Sequence, residues 1–474
     1  MTATATIENH RPRVYIDGKL VASGRSERTT AIADFSISWG ANDWWTPVDP
    51  AELKLRLIDP FGELLDYTAA TDRALPIQIR RKDVMAGSGE STVFVGQIET
   101  ITAKYGTVTH PGTGKKREVW FIDIVARDPL GQLAADRRHG PKWPAREEQQ
   151  KRLHWGPGKM VERRQYLSVR SPVPIDWQPT RLDQYDDAAM LLVYPVAAYE
   201  TQQNVSVLTV LQNTARISEV QNRVYYDPRA NLIRFIGPAD NRSVDLYATG
   251  ELRLSAGDGV MLEGTKFSPK NGITAASTAR EQVTRVELTR RAETRQKSDT
   301  PTYMTMTETS EERNYVPSAP SAMTVQMTTD HSWGYDYWPA WDINLFATIT
   351  GIYGRQNTGP LIWRPREDVE TYPGGYAQQF LNPAPPLDAN GRPVVYMLKN
   401  SLTNWAPGTG PFSIVGGELT YGPQGWRAQL NPAPVPVTGP SGPRTLGEVT
   451  STRLIGQLAA GYTVADYSKI TYVR

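Results

Sequence analysis

Apolar and polar residues alternate with period two over much of the first quarter of the chain. In Ala51-Glu52-Leu53-Lys54-Leu55-Arg56-Leu57-Ile58-Asp59, Leu53, Leu55 and Leu57 fall on one side and Lys54 and Arg56 on the other. This is the pattern of an antiparallel strand with one buried face. Similar runs occur at Val14–Val21, Phe35–Gly40, Ile77–Arg80, Val93–Ile98 and Trp120–Val125. Turn residues separate them: Asp17-Gly18, Asp59-Pro60-Phe61-Gly62 and Gly112-Thr113-Gly114. Six short strands at this spacing predict a small antiparallel barrel or sandwich over residues 1–130.

The pattern changes after Asp128-Pro129-Leu130-Gly131. Residues 132–165 are poor in β-branched residues and rich in Arg, Lys and Glu, which predicts a short helix followed by a loop. From Asn204 to Val220 the apolar positions Val207, Leu208, Leu211, Ala215 and Val220 recur at helical spacing, with Asn204 or Ser206 as the capping residue. A hairpin is expected next, Arg223–Tyr226 and Leu232–Ile236 around Asp227–Asn231. A strand follows at Val283–Leu288. Residues 297–325 are rich in Thr, Ser and Glu and read as a loop or exposed connection. The Pro-rich stretches 382–386 and 432–443 read as rigid loops. Near the end, Phe412–Tyr421 and Gly425–Pro432 form a second strand pair. The expected class is mainly β, with antiparallel β-barrel domains and a smaller α+β middle. The expected domains are 1–130, a helix-containing insert at 131–245, a β-rich connection at 246–330, and a second barrel with an extension at 331–474.

Composition narrows the chemistry. At 474 residues the chain is too long for one core, so two to four domains are expected. It has no cysteine, which excludes a thiol nucleophile, a disulfide framework and a cysteine-held metal. A net charge of +2 gives no global footprint for nucleic acid or membrane. The first thirteen residues are polar, unlike a signal peptide, and no run approaches the ~18 apolar residues of a spanning helix. The 36 prolines, 38 glycines and 13 tryptophans suit short strands, many turns and aromatic anchors.

Catalytic patterns fail one by one. The histidines His10, His110, His139, His154 and His331 never take metal-ligand spacing. Gly112-Thr113-Gly114-Lys115-Lys116-Arg117 resembles the end of a P-loop but lacks its upstream glycine and its following hydroxyl residue, so a turn is expected. Gly87-Ser88-Gly89 lacks the spacing of a nucleophile elbow. Glu311-Glu312 and Asp186-Asp187 are adjacent pairs, which point apart rather than across a cleft. No catalytic, cofactor-binding or metal-binding residue is assigned, no cofactor is expected, and the chain reads as a non-enzyme. Two features stand apart. Arg137–Arg164 holds nine Lys/Arg against three Glu with Trp143 and Trp155 interleaved, and reads as a packing arm before a single-strand binder. Trp333, Tyr335, Tyr337, Trp338 and Trp341 form an aromatic group suited to an interface or to a sugar.

Taken in order, the pieces resemble the minor tail proteins that form the tail-tip hub in long-tailed phages of actinobacteria. The likeness rests on the early Asp17-Gly18-Lys19 hairpin, VFVGQIETITAKY at 93–105 and FIDIVARDPLGQL at 121–133. It continues through NVSVLTVLQNTARISEVQNRVYYDPRANLIRF at 204–235, EQVTRVELTRRAE at 281–293, FSIVGGELTYGPQGWRAQLNPAP at 412–434 and LGEVTSTRLIGQLAAGYTVADYSKI at 446–470. The resemblance implies a virion protein assembled in the host cytoplasm. It implies a homotrimer in which two related barrels per subunit make a ring that adapts a sixfold tube to a threefold tip. Its implied partners are a distal tail protein ring, the tape measure protein and other tail-tip proteins, with DNA passing transiently and no stable membrane insertion. The alternative is a receptor- or carbohydrate-binding tail protein. A cell-wall hydrolase comes third, since its ligands are missing.

Overall fold

The structure, a computed structural model, describes residues 11–23, 30–44, 46–69, 74–82, 90–109, 114–137, 153–155, 160–177, 199–200, 205–218, 222–237, 243–248, 251–255, 261–266, 283–294, 302–309, 323–329, 361–363, 380–388, 391–399 and 412–434. It is mainly antiparallel β, and its principal sheet curls into a half-barrel.

The first 137 residues follow the alternation. β1 (Arg13–Ile16) and β2 (Lys19–Ser23) form a hairpin whose turn residues Asp17 and Gly18 both take positive φ, +51° and +75°. A tight hairpin turn matched to strand twist needs that conformation, and Asp-Gly supplies it. β3 (Ala31–Gly40), β4 (Asp49–Asp59), the short helix α1 (Leu65–Ala69), β5 (Pro76–Lys82), β6 (Glu90–Thr109) and β7 (Lys116–Arg127) follow. Leu53, Leu55 and Leu57 are buried as the alternation required, while Lys54 and Arg56 are exposed. Their inward face packs with Ile77, Ile79, Ile122 and Ile124 in one core.

The β4–α1 turn is held by a single buried carboxylate. Asp59 accepts hydrogen bonds from the backbone N–H groups of Phe61, Gly62 and Leu64 at 3.2, 3.0 and 2.8 Å. At the other end of the unit, β7 runs into helix α2 (Pro129–Ala135). Asp128 caps that helix by accepting from the N–H groups of Leu130 and Gly131, and Pro129 stands where no N–H is needed.

The middle of the chain builds a second core. β8 (Leu153–Trp155), α3 (Met160–Arg170), β9 (Ile175–Asp176), β10 (Tyr199–Glu200), α4 (Val207–Ser218), β11 (Arg223–Asp227) and β12 (Leu232–Ile236) lie in order. Ser206 caps α4, its hydroxyl accepting from the N–H of Thr209 at 3.1 Å. Val207, Val210 and Leu211 pack with Leu130, Leu133 and Trp155, so α2 belongs to this second core although it continues directly from the first sheet. Helix α3 begins inside the stretch expected to be loop. Its inward positions include Arg163 and Leu167, and an arginine there hides the apolar periodicity. The Arg163 guanidinium lies over the buried Trp155 ring at 5.3 Å, so it packs as part of the core wall.

β13 (Ser243–Ala248), β14 (Glu251–Ser255) and β15 (Met261–Lys266) form an antiparallel meander. β16 (Val283–Thr294), β17 (Thr302–Thr309) and β18 (Met323–Thr329) form a separate three-stranded sheet. The loop expected over 297–325 is therefore corrected: 302–309 and 323–325 are strand. Threonine is polar but β-branched, so Thr302-Tyr303-Met304-Thr305-Met306-Thr307 suits a strand as well as a loop. β19 (Leu361–Trp363), β20 (Val395–Lys399), β21 (Phe412–Gly422) and β22 (Gly425–Pro434) complete the elements. The rigid loop expected from 432 is corrected in the same way. Pro432 and Pro434 sit in β22 opposite Ile414 and Phe412. They are tolerated because, among the described residues, β19 pairs with β22 at Ala428–Leu430 and no strand lies beside the proline end on that side.

The principal sheet has fourteen strands in the order β15-β14-β13-β20-β21-β3-β4-β7-β6-β5-β1-β2, with β22 on β21 and β19 on β22. The two ends of the chain thus meet side by side: β3 hydrogen-bonds β21 from Gly40↔Gly416 to Phe35↔Tyr421.

Candidate functional site

Among the described residues no group of three or more His, Cys, Asp or Glu could hold a metal. No helix among them is long and apolar enough to cross a membrane, which says nothing of a β-barrel. Three surfaces or junctions stand out among the described residues.

The first is the joint between the chain ends. Gly40 takes φ +72°, and a Cβ there would meet the Val415 carbonyl oxygen at 2.3 Å. A Cβ on Gly416 would meet the oxygen and nitrogen of Ala41 at 2.2 and 2.5 Å. Backbone therefore packs on backbone with no space for a side chain. At the other end of the same strand pair Phe35 and Tyr421 cluster with Trp426, ring centroids 5.2–5.6 Å apart. The middle unit is tied in as well: the Tyr225 hydroxyl donates to the Val415 carbonyl of β21 at 3.1 Å, and the Gln212 amide donates to the Val48 carbonyl in the loop after β3 at 2.8 Å. Burial raises the Tyr225 phenol well above its ordinary value, so it remains a donor. The neighbouring Arg223 is lowered to about 9, by burial first and by Arg216 second.

The second is the Asp128 cap. Burial pushes its carboxyl up to about 7, against the backbone N–H groups that favour the ionised form and Arg127, which does the same. Tyr226 lies close enough that the Asp128 charge helps raise its phenol.

The third is the outer face of the first sheet and the ribbon it extends into. Arg56 pairs with Asp123 at 2.7 Å, Arg127 with Glu99 at 3.2 Å, and Lys54 with Glu52 at 3.0 Å. Each of these pairs is substantially exposed, so each contributes about 0–1 kcal/mol. β4 stops at Asp59↔Trp120 and β5 stops at Pro76↔Gln97. Beyond those rungs β6 and β7 continue as two strands, from Gly106↔Val119 to Thr109↔Lys116. At this ribbon's root Tyr105 stacks edge-on to Trp120 at 5.1 Å, and its hydroxyl donates to Glu118 at 2.6 Å. The Arg117 guanidinium lies over the Phe61 ring at 5.2 Å. Gly114 and Lys115 lead into β7, so a strand follows this motif, while Gly112 and Thr113 lie outside the described residues.

Of the features singled out in the sequence, Trp155, Arg163 and Arg164 of the basic segment are described. Trp155 is fully buried, and Arg164 lies over Trp177 at 5.3 Å. Residues 138–152 and 156–159, the aromatic group at 333–341, Gly87-Ser88-Gly89, Asp186-Asp187, Glu311-Glu312, His10, His110, His139 and His331 lie outside the described residues. The sequence reading missed the ribbon root. Phe61 was seen only as a turn residue, and Tyr105 only as part of a strand.

No family model matches the chain, and no curated protein matches it. Among solved structures it is similar to the 43 kDa tail protein of prophage MuSo2 from Shewanella oneidensis, with 8% identity, a TM-score of 0.44, and 89% of this chain and 97% of that one covered. It is also similar to a tail protein from Neisseria meningitidis MC58, with 10% identity, a TM-score of 0.42, and 90% and 99% covered.

Proposed function

We propose that the chain is a structural, non-enzymatic component of a phage tail, a tail-tip hub that assembles as a homotrimer and closes the tail tube. The observation that carries this reading is the wall shared by the chain's two ends. β3 and β21 are hydrogen-bonded neighbours, so segments almost four hundred residues apart form one curved surface. That surface is apolar inside and, over β4, β6 and β7, polar and ion-paired outside. Such a wall suits a shell around a passage better than a cleft around a substrate. The order of sequence pieces described above supports the same reading, and with it a place in the virion beside a distal tail protein and the tape measure protein. Native mass spectrometry and negative-stain imaging of the purified chain test it. A threefold ring is expected, and a chain that stays monomeric at all concentrations overturns the hub. Zymography on host cell wall tests the absence of hydrolase activity: a clearing band abolished by one Asp or Glu substitution would refute it.

A further inference from the structure

The β6–β7 ribbon leaves the sheet without a third strand among the described residues, and it carries an uneven distribution of charge. Lys115, Lys116 and Arg117 are consecutive and exposed at its tip. The strand opposite supplies only Thr107, Val108 and Thr109. At the root, the β4–α1 segment exposes Glu63 and Asp66, and neither carboxylate has an ion-pair partner among the described residues; the same is true of Lys116. At the root, Phe61 is 61% exposed and Tyr105 is 53% exposed. Arg117 covers Phe61, two residues before Glu63, so the basic strand adjoins the acidic segment on that face, while Tyr105, whose ring meets Trp120 and whose hydroxyl donates to Glu118, stands on the alternate face of the ribbon.

Two physical arguments choose the occupant. A two-stranded ribbon is marginal in water without a further surface against it. It spans four rungs past the last β4 pair, about 14 Å at the usual rise per residue. A polyanion would be drawn to the tip but repelled by Glu63 and Asp66 at the root. A partner that is acidic at one place and basic at another satisfies both tip and root, and a second copy of this chain carries that arrangement. We propose that the ribbon is a subunit contact in which the basic tip of one copy packs on the acidic root of the next. This deepens the homo-oligomeric reading above and rests on it. A tip-to-root contact joins different surfaces on the two copies, the head-to-tail type that closes into a ring.

Charge exchange tests the contact. Four chains are compared by light scattering after size exclusion at low and high salt: wild type, Lys115→Glu with Lys116→Glu, Glu63→Lys with Asp66→Lys, and all four substitutions together. Each one-sided reversal is expected to weaken self-association by roughly tenfold or more, since several rim pairs turn from attractive to repulsive. The four-fold exchange is expected to restore it, because every pair is again opposite in sign, and recovery also shows that the chains fold. If both one-sided variants keep the wild-type mass, the ribbon contact is overturned while the homo-oligomer stands. If the wild type is monomeric throughout, both fall. Loss in the one-sided variants without recovery in the exchanged chain also overturns the pairing. So does wild-type self-association in a variant that has lost binding to duplex DNA, which would assign the tip to nucleic acid.

Discussion

The β4–β7 pair in the wall of the half-barrel and the β3–β21 joint that extends it are both antiparallel, yet different physics holds them. Between β4 and β7 the strands are spaced by ordinary side chains, and Leu55, opposite Ile124, lies in a core where both are buried. At the Gly40↔Gly416 end of the β3–β21 pair both partners are glycines and the backbones touch. The wall tolerates a change of shape that keeps apolar volume, but not a charge. The joint tolerates no added atom, however apolar.

The largest effect should come from putting a charge into the wall. Leu55→Asp buries a carboxylate with no partner and costs several kcal/mol, against a domain stability of about 5–15 kcal/mol. Circular dichroism and urea melts should show a chain that is largely unfolded at 37 °C. A native-like melt would mean that β4 faces the other way.

A smaller loss is expected at the joint. Gly416→Ala places a methyl group where backbone atoms stand at 2.2 Å. Overpacking of this kind typically costs about 1–3 kcal/mol, and rigid backbone puts it at the upper end. The comparison is sharpened by where the damage falls. Hydrogen exchange should speed up in 412–434 and 31–40 and stay near wild type in β4, β6 and β7.

The Asp128 cap connects the two cores, and its effect depends on pH. Its carboxyl sits at about 7 in the fold against 3.8 in the unfolded chain. Between those values the folded state binds the extra proton, so this group's contribution to stability falls as pH rises from about 4 to about 7 and is flat above. Asp128→Asn keeps an oxygen that can cap α2 and removes the titration. Urea melts at pH 4.5 and 7.5 should show the variant gaining stability relative to wild type at the higher pH. An unchanged difference would place the carboxyl at its ordinary value.

The smallest effect is expected on the outer face of the wall. Lys54→Asp removes an exposed pair with Glu52 and leaves two like charges in water, which costs about 1 kcal/mol or less. Melting of the isolated chain should move by only a few degrees. A full loss of assembly with an intact melt would make that face a contact.

Much of the strand structure was legible because alternation is a local property: one buried face forces every second residue to be apolar. The β1–β2 turn was legible for a similar reason, since Asp17-Gly18 supplies the positive φ that the turn needs. So was the Ser206 cap, which satisfies an N–H only three residues away. The strands at 302–309 and 432–434 were not. Threonine is polar, and proline lacks a donor; whether either is accepted depends on which neighbours the strand acquires. The buried Arg163 obscured α3 because its guanidinium packs on an indole that lies distant in local pattern though near in space.

The candidate surfaces divide in the same way. The lack of cysteine and of metal-spaced histidine is a fact of sequence and limits the chemistry whatever the fold. That Gly40 meets Gly416, that Asp128 is buried between two cores, and that Phe61 and Tyr105 gather at the root of a basic ribbon were decided by tertiary structure. Each arises from pairing between residues far apart in the chain. Local periodicity specifies which way a side chain faces along its own strand but carries no information about the strand that arrives beside it.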